Sequence, residues 1–100
     1  MPQLQPNRRS NIKRRPKDAD KAKVIFHNDD VTTFDFVILV LVEVFFKSAQ
    51  EAADLAMLVH VQGQAPVGIY AKDIAVSKAE LATEMARANN FPLRITTENA

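Results

Sequence analysis

The charges of this chain are divided so unevenly that only part of it can form a core. Residues 1–23 carry eight Lys and Arg and two Asp, whereas residues 24–100 carry five Lys and Arg and ten Asp and Glu. The basic part is rich in Pro, Asn and Gln and has almost no apolar residue after Leu4. Such a segment cannot bury enough apolar surface to offset the entropy of ordering it. We therefore predict a flexible extension over residues 1–22 and one folded domain over residues 23–98.

Cysteine is absent, which excludes disulfides, thiolate metal sites and a cysteine nucleophile and suits a cytoplasmic protein. No apolar stretch follows the first basic residues, so the N-terminus does not resemble a signal peptide. The most apolar run, residues 36–46, contains Glu43 and is too short to span a bilayer. We expect no membrane partner.

The apolar pattern of the folded part predicts three strands and three helices in the order β-α-α-β-α-β. Strands are predicted over residues 23–27, 65–71 and 92–97, and helices over the run 36–46, the segment after Ser48, and residues 72–89. This order is typical of an α+β two-layer sandwich, with a three-stranded antiparallel sheet packed on three helices.

Several local signals predict where the helices begin and end. Thr32 is the predicted N-cap of the first helix, with Asp35 at its N3 position. Ser48 and Glu51 match a capping box at the start of the second helix. Gly63 has the place of the left-handed residue that ends it.

The predictions of the first and third helices depend on the pattern of their apolar residues. The run 36–46 is rich in β-branched residues, which favours a strand, but its length and the preceding cap favour a buried helix, which we predict. In the third helix, large side chains recur with a period of 3.6 and predict the stripe that faces the core, with Lys78 near its border. This predicted stripe consists of Ile74, Lys78, Leu81 and Met85.

The polar cluster His27-Asn28-Asp29-Asp30 follows an apolar strand, and a lone histidine, His60, interrupts an apolar helical run. An amide oxygen, a carboxylate and a neutral imidazole nitrogen are all acceptors, and together they suit a primary ammonium group. From the residues alone, the cluster is more typical of a turn, and His60 of a half-buried helix histidine. A metal site built from His27, Asp29, Asp30 and His60 has no supporting ligand spacing.

The motifs along the folded part resemble in combination those of ClpS, the bacterial adaptor that delivers N-degron substrates to the ClpA-type AAA+ unfoldase of the ClpAP protease. The resemblance covers roughly residues 22–98, and the family fold also occurs in the C-terminal domain of the ribosomal stalk protein. The motifs, in chain order, are Val24-Ile25-Phe26-His27-Asn28-Asp29-Asp30, Thr32, Phe36-Val37, Glu43-Val44-Phe45, Val59-His60, Gln62-Gly63, Val67-Gly68-Ile69-Tyr70, Lys78, Ala86-Arg87 and Phe91-Pro92-Leu93.

The resemblance implies a non-enzymatic adaptor, without a cofactor, that grips a client by its free N-terminus. Asn28, Asp29 and His60 match the residues that bind the α-amino group. Asp73 and Lys78 match positions that dock on the N-terminal domain of the unfoldase, and the extension takes part in delivery. The clients expected are proteins that begin with Leu, Phe, Tyr or Trp. Their first side chain enters a pocket of the family. The residues of this chain at the positions that line that pocket are Thr32, Phe34, Val37, Leu39, Val40, Ala56, Val59 and Leu93.

This sequence departs from the family pattern at four positions. Thr33 stands where Pro is common, and Phe34 and Ala56 each stand where Met is common. Phe34 narrows the expected entrance of the pocket, whereas Ala56 opens its interior. Val76 replaces a frequent acidic residue on the docking face. These changes could mark a divergent second copy of the adaptor.

Two other classes of function are weaker. Asp and His could act as acid and base, but no nucleophile motif, phosphate-binding loop or cofactor fingerprint accompanies them. The basic residues Arg8-Arg9 and Lys13-Arg14-Arg15 could bind nucleic acid without sequence preference. The folded part is acidic and lacks an aromatic stacking platform, so a nucleic-acid partner is the less favoured alternative.

Overall fold

The structure, a computed structural model, describes residues 20–100, and the predicted extension up to Ala19 lies outside them. The strands and helices follow one another in the predicted order, and the α+β sandwich is confirmed. They are β1 (Lys21–His27), α1 (Phe34–Glu43), α2 (Ala49–Gln62), β2 (Gln64–Ala71), α3 (Lys72–Ala88) and β3 (Arg94–Asn99).

The sheet has the order β2-β1-β3, and β1 pairs antiparallel with both neighbours. Strand β1 begins at Lys21, although the sequence placed Lys21 and Ala22 in the extension. The difference arises because Ala22 is small and buried, and pairs with Tyr70 on one side and Asn99 on the other. The first residues of the strand are therefore held by both edges of the sheet.

One core lies between the sheet and the helices. Its largest fully buried side chains are Phe26 and Val24 from β1, Leu41 and Val40 from α1, and Leu93 before β3. The ring of Phe45, just past α1, packs edge-on against Phe26 with ring centroids 5.5 Å apart. The run 36–46 thus begins with a buried helix, as predicted, but the helix ends at Glu43, Val44 and Phe45 continue into the core, and Phe46 is 79% exposed.

Helix α3 buries a different stripe from the one predicted. Ile74 and Leu81 are 48% and 50% exposed, so the prediction that they face the core is wrong. The buried residues of α3 also recur with a helical period, but they are the alanines Ala75, Ala79, Ala82 and Ala86. Small side chains let α3 lie close to the sheet, all three strands of which it contacts. Ile74 and Leu81 are consequently turned outward, whereas Met85 of the predicted stripe packs partly buried against the core.

The N-cap of the first helix differs from prediction. Thr33, not Thr32, is the N-cap of α1, and its hydroxyl accepts the Phe36 backbone N–H at 3.2 Å. The capping box of Ser48 and Glu51 is confirmed, and Gly63 ends α2 with φ +87°. None of the helices within residues 20–100 is both long enough and apolar enough to cross a membrane.

Candidate functional site

A backbone hydrogen bond joins the loop after β1 to the end of α2. The Asn28 N–H donates to the Gly63 carbonyl at 2.8 Å, next to the last pair of the β1–β2 ladder, His27 with Gln64. His60 lies in the last turn of α2, just before Gly63. The left-handed turn at Gly63 therefore brings the polar loop and the histidine to the same end of the sheet.

Asp29 holds this loop in shape. One carboxylate oxygen accepts the backbone N–H groups of Val31 at 2.8 Å and Thr32 at 2.7 Å, and the other accepts the Thr32 hydroxyl at 2.8 Å. Burial alone raises the pKa of the Asp29 carboxyl, but these hydrogen bonds outweigh it, with the charge of Arg87 adding to them, and hold the pKa below its usual range. Asp29 is thus an ionised, oriented acceptor.

The backbone N–H and the hydroxyl of Thr32 both donate to Asp29, which places Thr32 in this turn and leaves the N-cap position of α1 to Thr33. Three hydrogen bonds leave one of the roughly four acceptor positions of a carboxylate unused. The loop is thus a turn stabilised by its own carboxylate, and it still presents an acceptor to solvent.

The loop, the first turn of α1 and the helix α2 line a depression of about 550 Å³, which we call the Asp29 site. Phe34 and Met57 are exposed, whereas Val37, Ala56 and Val59 are buried beneath. The depression therefore joins a polar end to an apolar one. Its lining comprises Asn28, Asp29, Asp30, Thr32, Phe34, Val37, Ala56, Met57, Val59 and His60.

The structure does not bring three predicted pocket residues into this lining. Leu39 is 46% exposed, and it lies about 200° around α1 from Val37, so it points elsewhere. Val40 and Leu93 are buried in the core rather than open to the depression. Met57 lines the depression and was missed, although it lies three residues before His60, a spacing that places both on one helix face.

His27 does not belong to the site, because its Nε2 lies 2.8 Å from the Thr96 hydroxyl on β3. Within residues 20–100, no three His, Asp or Glu side chains gather as metal ligands would. The metal alternative built on His27 and its neighbours thus gains no geometric support.

Asp73 and Lys78, the predicted docking residues, both lie on α3 in different surroundings. Asp73 is exposed in the first turn. The Lys78 ammonium donates to the Val44 carbonyl at 2.7 Å and lies 5.8, 4.6 and 5.4 Å from three aromatic ring centroids. These rings belong to Phe45, Phe46 and Tyr70. Lys78 therefore anchors the end of α1, a role the sequence did not reveal.

Comparison with known proteins gives one consistent answer for the described domain. The family model of the ATP-dependent Clp protease adaptor protein ClpS matches residues 17–96. The ClpS adaptor of Treponema denticola is 46% identical over 81% of this chain and 80% of its own length. That of Nitratidesulfovibrio vulgaris is 42% identical over 76% of this chain and 73% of its own length.

A solved structure, that of Agrobacterium tumefaciens ClpS2 bound to L-phenylalaninamide, superposes with a TM-score of 0.79. It is 38% identical to this chain, and the match covers 82% of this chain and 99% of that one. Since the family model matches most of the chain, the ClpS relatives are over 40% identical to it over the matched residues and the solved ClpS2 structure has the same fold, the chain belongs to the ClpS family of Clp protease adaptors.

Proposed function

We propose that this adaptor binds the free α-amino group and bulky first side chain of N-degron proteins at the Asp29 site and delivers them to a ClpA-type AAA+ unfoldase. The observation that carries the proposal is that Asn28, Asp29 and His60 line one depression with an apolar floor. The ligand in the related ClpS2 structure, L-phenylalaninamide, has the two required parts, an α-amino group and an aromatic side chain.

The polar end suits a charged amine. A protein α-amino group has a pKa of roughly 7.7–8.0, so it is mostly cationic at neutral pH and offers three N–H donors. The oriented carboxylate of Asp29, the amide oxygen of Asn28 and a neutral ring nitrogen of His60 are three acceptors for it. Hydrogen bonds between charged partners are the stronger class.

The apolar end selects the first side chain. Transfer of a Leu or Phe side chain from water onto Val37, Ala56 and Val59 contributes on the order of 1.5–3 kcal/mol. Phe34 and Met57 cover part of the entrance. A small first residue leaves this surface unfilled, whereas Leu, Phe, Tyr and Trp cover it.

Both parts are needed together. An internal residue of a client offers an uncharged amide with one donor, which leaves Asp29 desolvated without a cationic partner. The proposed site therefore discriminates the beginning of a chain from its interior.

Delivery requires a second surface, for which we propose the start of α3. Asp73 is exposed there and free to meet a partner. The ammonium of Lys78 is hydrogen-bonded to the Val44 carbonyl and lies against aromatic rings. We therefore propose that Lys78 positions this surface rather than contacts the unfoldase. The Asp73→Lys variant should reduce client degradation in a reconstituted ClpAP reaction while leaving peptide affinity unchanged.

Fluorescence anisotropy with matched peptides tests the binding step. Peptides that begin with Phe, Leu, Tyr or Trp should bind, and the same sequence beginning with Ala should bind weakly. N-acetylation of the Phe peptide removes the ammonium and should weaken binding about 100-fold, since hydrogen bonds to charged groups contribute about 1.5–3 kcal/mol. Equal affinity of the free and acetylated Phe peptides would refute the proposal.

A further inference from the structure

We infer that the basic N-terminal segment of this chain binds its own domain, in a groove between α3 and β3. The groove, called the α3–β3 groove below, has a volume of about 730 Å³ and lies at the edge of the sheet formed by β3. Carboxylates at Glu80 and Glu84 line it. No side-chain hydrogen bond or ion pair of either carboxylate is found within residues 20–100.

The groove continues to the place where the basic segment joins the domain. A second depression, of about 710 Å³, is lined by Asp20, Lys72, Asp73 and Val76, among others. Val76 lines both depressions, so they meet there. The Asp20 carbonyl accepts the Lys72 backbone N–H at 2.8 Å, which fixes the first described residue at the start of α3.

The opposite charges of the basic segment and of the two depressions favour the segment as the occupant of the groove. Residues 1–19 carry six Lys and Arg and one Asp, a net charge of +5. The two joined depressions are lined by four carboxylates, of Asp20, Asp73, Glu80 and Glu84, and one ammonium, of Lys72, a net charge of −3. Opposite charges at this density attract over about a Debye length, roughly 10 Å at 0.1 M salt.

The length of the segment also fits. From Lys72 to Glu84, α3 rises about 18 Å at 1.5 Å per residue. An extended chain covers about 3.3 Å per residue, so five or six residues before Asp20 reach the far end of the groove. Lys13, Arg14, Arg15 and Lys17 lie within seven residues of Asp20 and can therefore face Glu80 and Glu84.

The inference stands apart from the proposed peptide binding, because none of these residues lines the Asp29 site. Binding of the segment to the groove would hold the basic residues beside Asp73, on the same helix that we propose for docking.

The absence of cysteine allows a direct test on the full chain. A nitroxide attached to the Ser10→Cys variant should enhance the relaxation of backbone amides at Glu80, Thr83 and Thr97 selectively. The double variant Glu80→Lys with Glu84→Lys, both exposed positions, should reduce that enhancement about fivefold or more. Salt at about 0.5 M should reduce it similarly.

The matched control is Glu43→Lys with Asp54→Lys, which makes the same charge change at exposed positions outside both depressions and should keep the enhancement. Enhancement spread evenly over the domain, or unchanged by the Glu80 and Glu84 reversals, would overturn the inference. So would equal enhancement in a mixture of spin-labelled chain with isotope-labelled chain, which would assign the groove to the segment of another copy.

Discussion

The Asp29 site and the α3–β3 groove both present carboxylates to solvent, but they hold them differently. At Asp29 three hydrogen bonds of 2.7–2.8 Å fix the direction of the carboxylate. Glu80 and Glu84 extend from an exposed helix face, and within residues 20–100 we find no partner that orients them. The first region therefore presents an acceptor of fixed direction, and the second presents negative charge without a fixed direction.

This difference assigns different kinds of ligand to the two regions. An oriented acceptor beside a small apolar floor favours one ammonium at one distance, so its selectivity comes from position. Unfixed carboxylates favour any extended cationic segment, and their attraction weakens with salt. In the two proposals made above, the Asp29 site supplies specificity and the α3–β3 groove retains the basic segment.

The largest expected effect is a loss of peptide affinity when the oriented carboxylate of Asp29 is replaced, and it tests the difference between the two regions. Asp29→Asn removes the charge while nearly preserving the shape of the side chain, so the affinity for a Phe-initiated peptide should fall about 100-fold. The matched control is Glu84→Gln, which makes the same charge change in the other region and should alter peptide affinity less than about twofold. Comparable losses in both variants, measured by anisotropy, would show that general negative charge, rather than an oriented acceptor, binds the peptide.

A second prediction concerns Lys78, a cation that one hydrogen bond and three aromatic rings hold on the same helix as Glu80 and Glu84. Lys78→Met removes the hydrogen bond to the Val44 carbonyl and the contacts with the aromatic rings. We expect a loss of about 2 kcal/mol in the free energy of unfolding, measured by urea denaturation. Lys72→Met, at an exposed position of α3, is the matched control and should cost less than about 0.5 kcal/mol. An equal, small loss in both variants would mean that Lys78 does not anchor α1.

A third prediction sharpens the role of shape at the Asp29 site. Ala56 is buried beneath the depression, so Ala56→Met fills part of the space that a first side chain would occupy. Binding of Trp- and Tyr-initiated peptides should weaken about tenfold relative to a Leu-initiated peptide. Ala49→Met, at the exposed start of α2, is the control and should preserve the ranking. An unchanged ranking in the Ala56 variant would exclude this residue from the pocket.

The order of strands and helices could be predicted because the signals are local. The capping box at Ser48 and the left-handed Gly63 directly flank α2, the helix they begin and end, and tertiary contacts agree with them. The cap of α1 could not be assigned between two adjacent threonines, because the choice depends on the turn around Asp29, which accepts the backbone N–H and the hydroxyl of Thr32. A local pattern thus failed where a neighbouring loop competed for the same residue.

The prediction of which face of α3 is buried was wrong for a different reason. Both Ile74 with Leu81 and the alanines from Ala75 to Ala86 recur with a helical period, so periodicity alone predicts either face. We chose the larger side chains, but a helix that crosses the sheet closely needs small ones at the contact. How near α3 lies to the sheet is a property of the packed core, in which Phe26 and Leu41 already fill the space.

The candidate site was only partly accessible from the sequence. Asn28 and His60 are 32 residues apart, and their approach depends on the β1–β2 register and the bond from Asn28 to Gly63. The residues alone favoured a turn and a structural histidine, and the family resemblance supplied the pairing. Leu39 shows the limit of that transfer, because a position on the wrong side of a helix does not line the depression.

The smallest expected effect is a change in the pH dependence of stability, and it concerns His27 on the sheet. Burial and the nearby charge of Arg94 lower the pKa of His27, whereas contact with Gln64 and the charge of Glu98 oppose them. The folded state therefore binds fewer protons than the unfolded state as pH falls below the ordinary histidine value of about 6.5. The free energy of unfolding should be unaffected by His27 above that pH and should decrease below it.

Urea denaturation between pH 7.5 and 5 measures this effect. His27→Gln should flatten the decrease, and Arg94→Gln should make it shallower, because one cause of the lowered pKa is removed. Glu98→Gln should make it steeper, since Glu98 stabilises the protonated imidazole. If the slope is the same in the wild type and the His27 variant, His27 does not link protonation to folding. The two groups differ in what their surroundings do. The surroundings of His27 lower its pKa, whereas the hydrogen bonds to Asp29 set both the charge and the direction of its carboxylate.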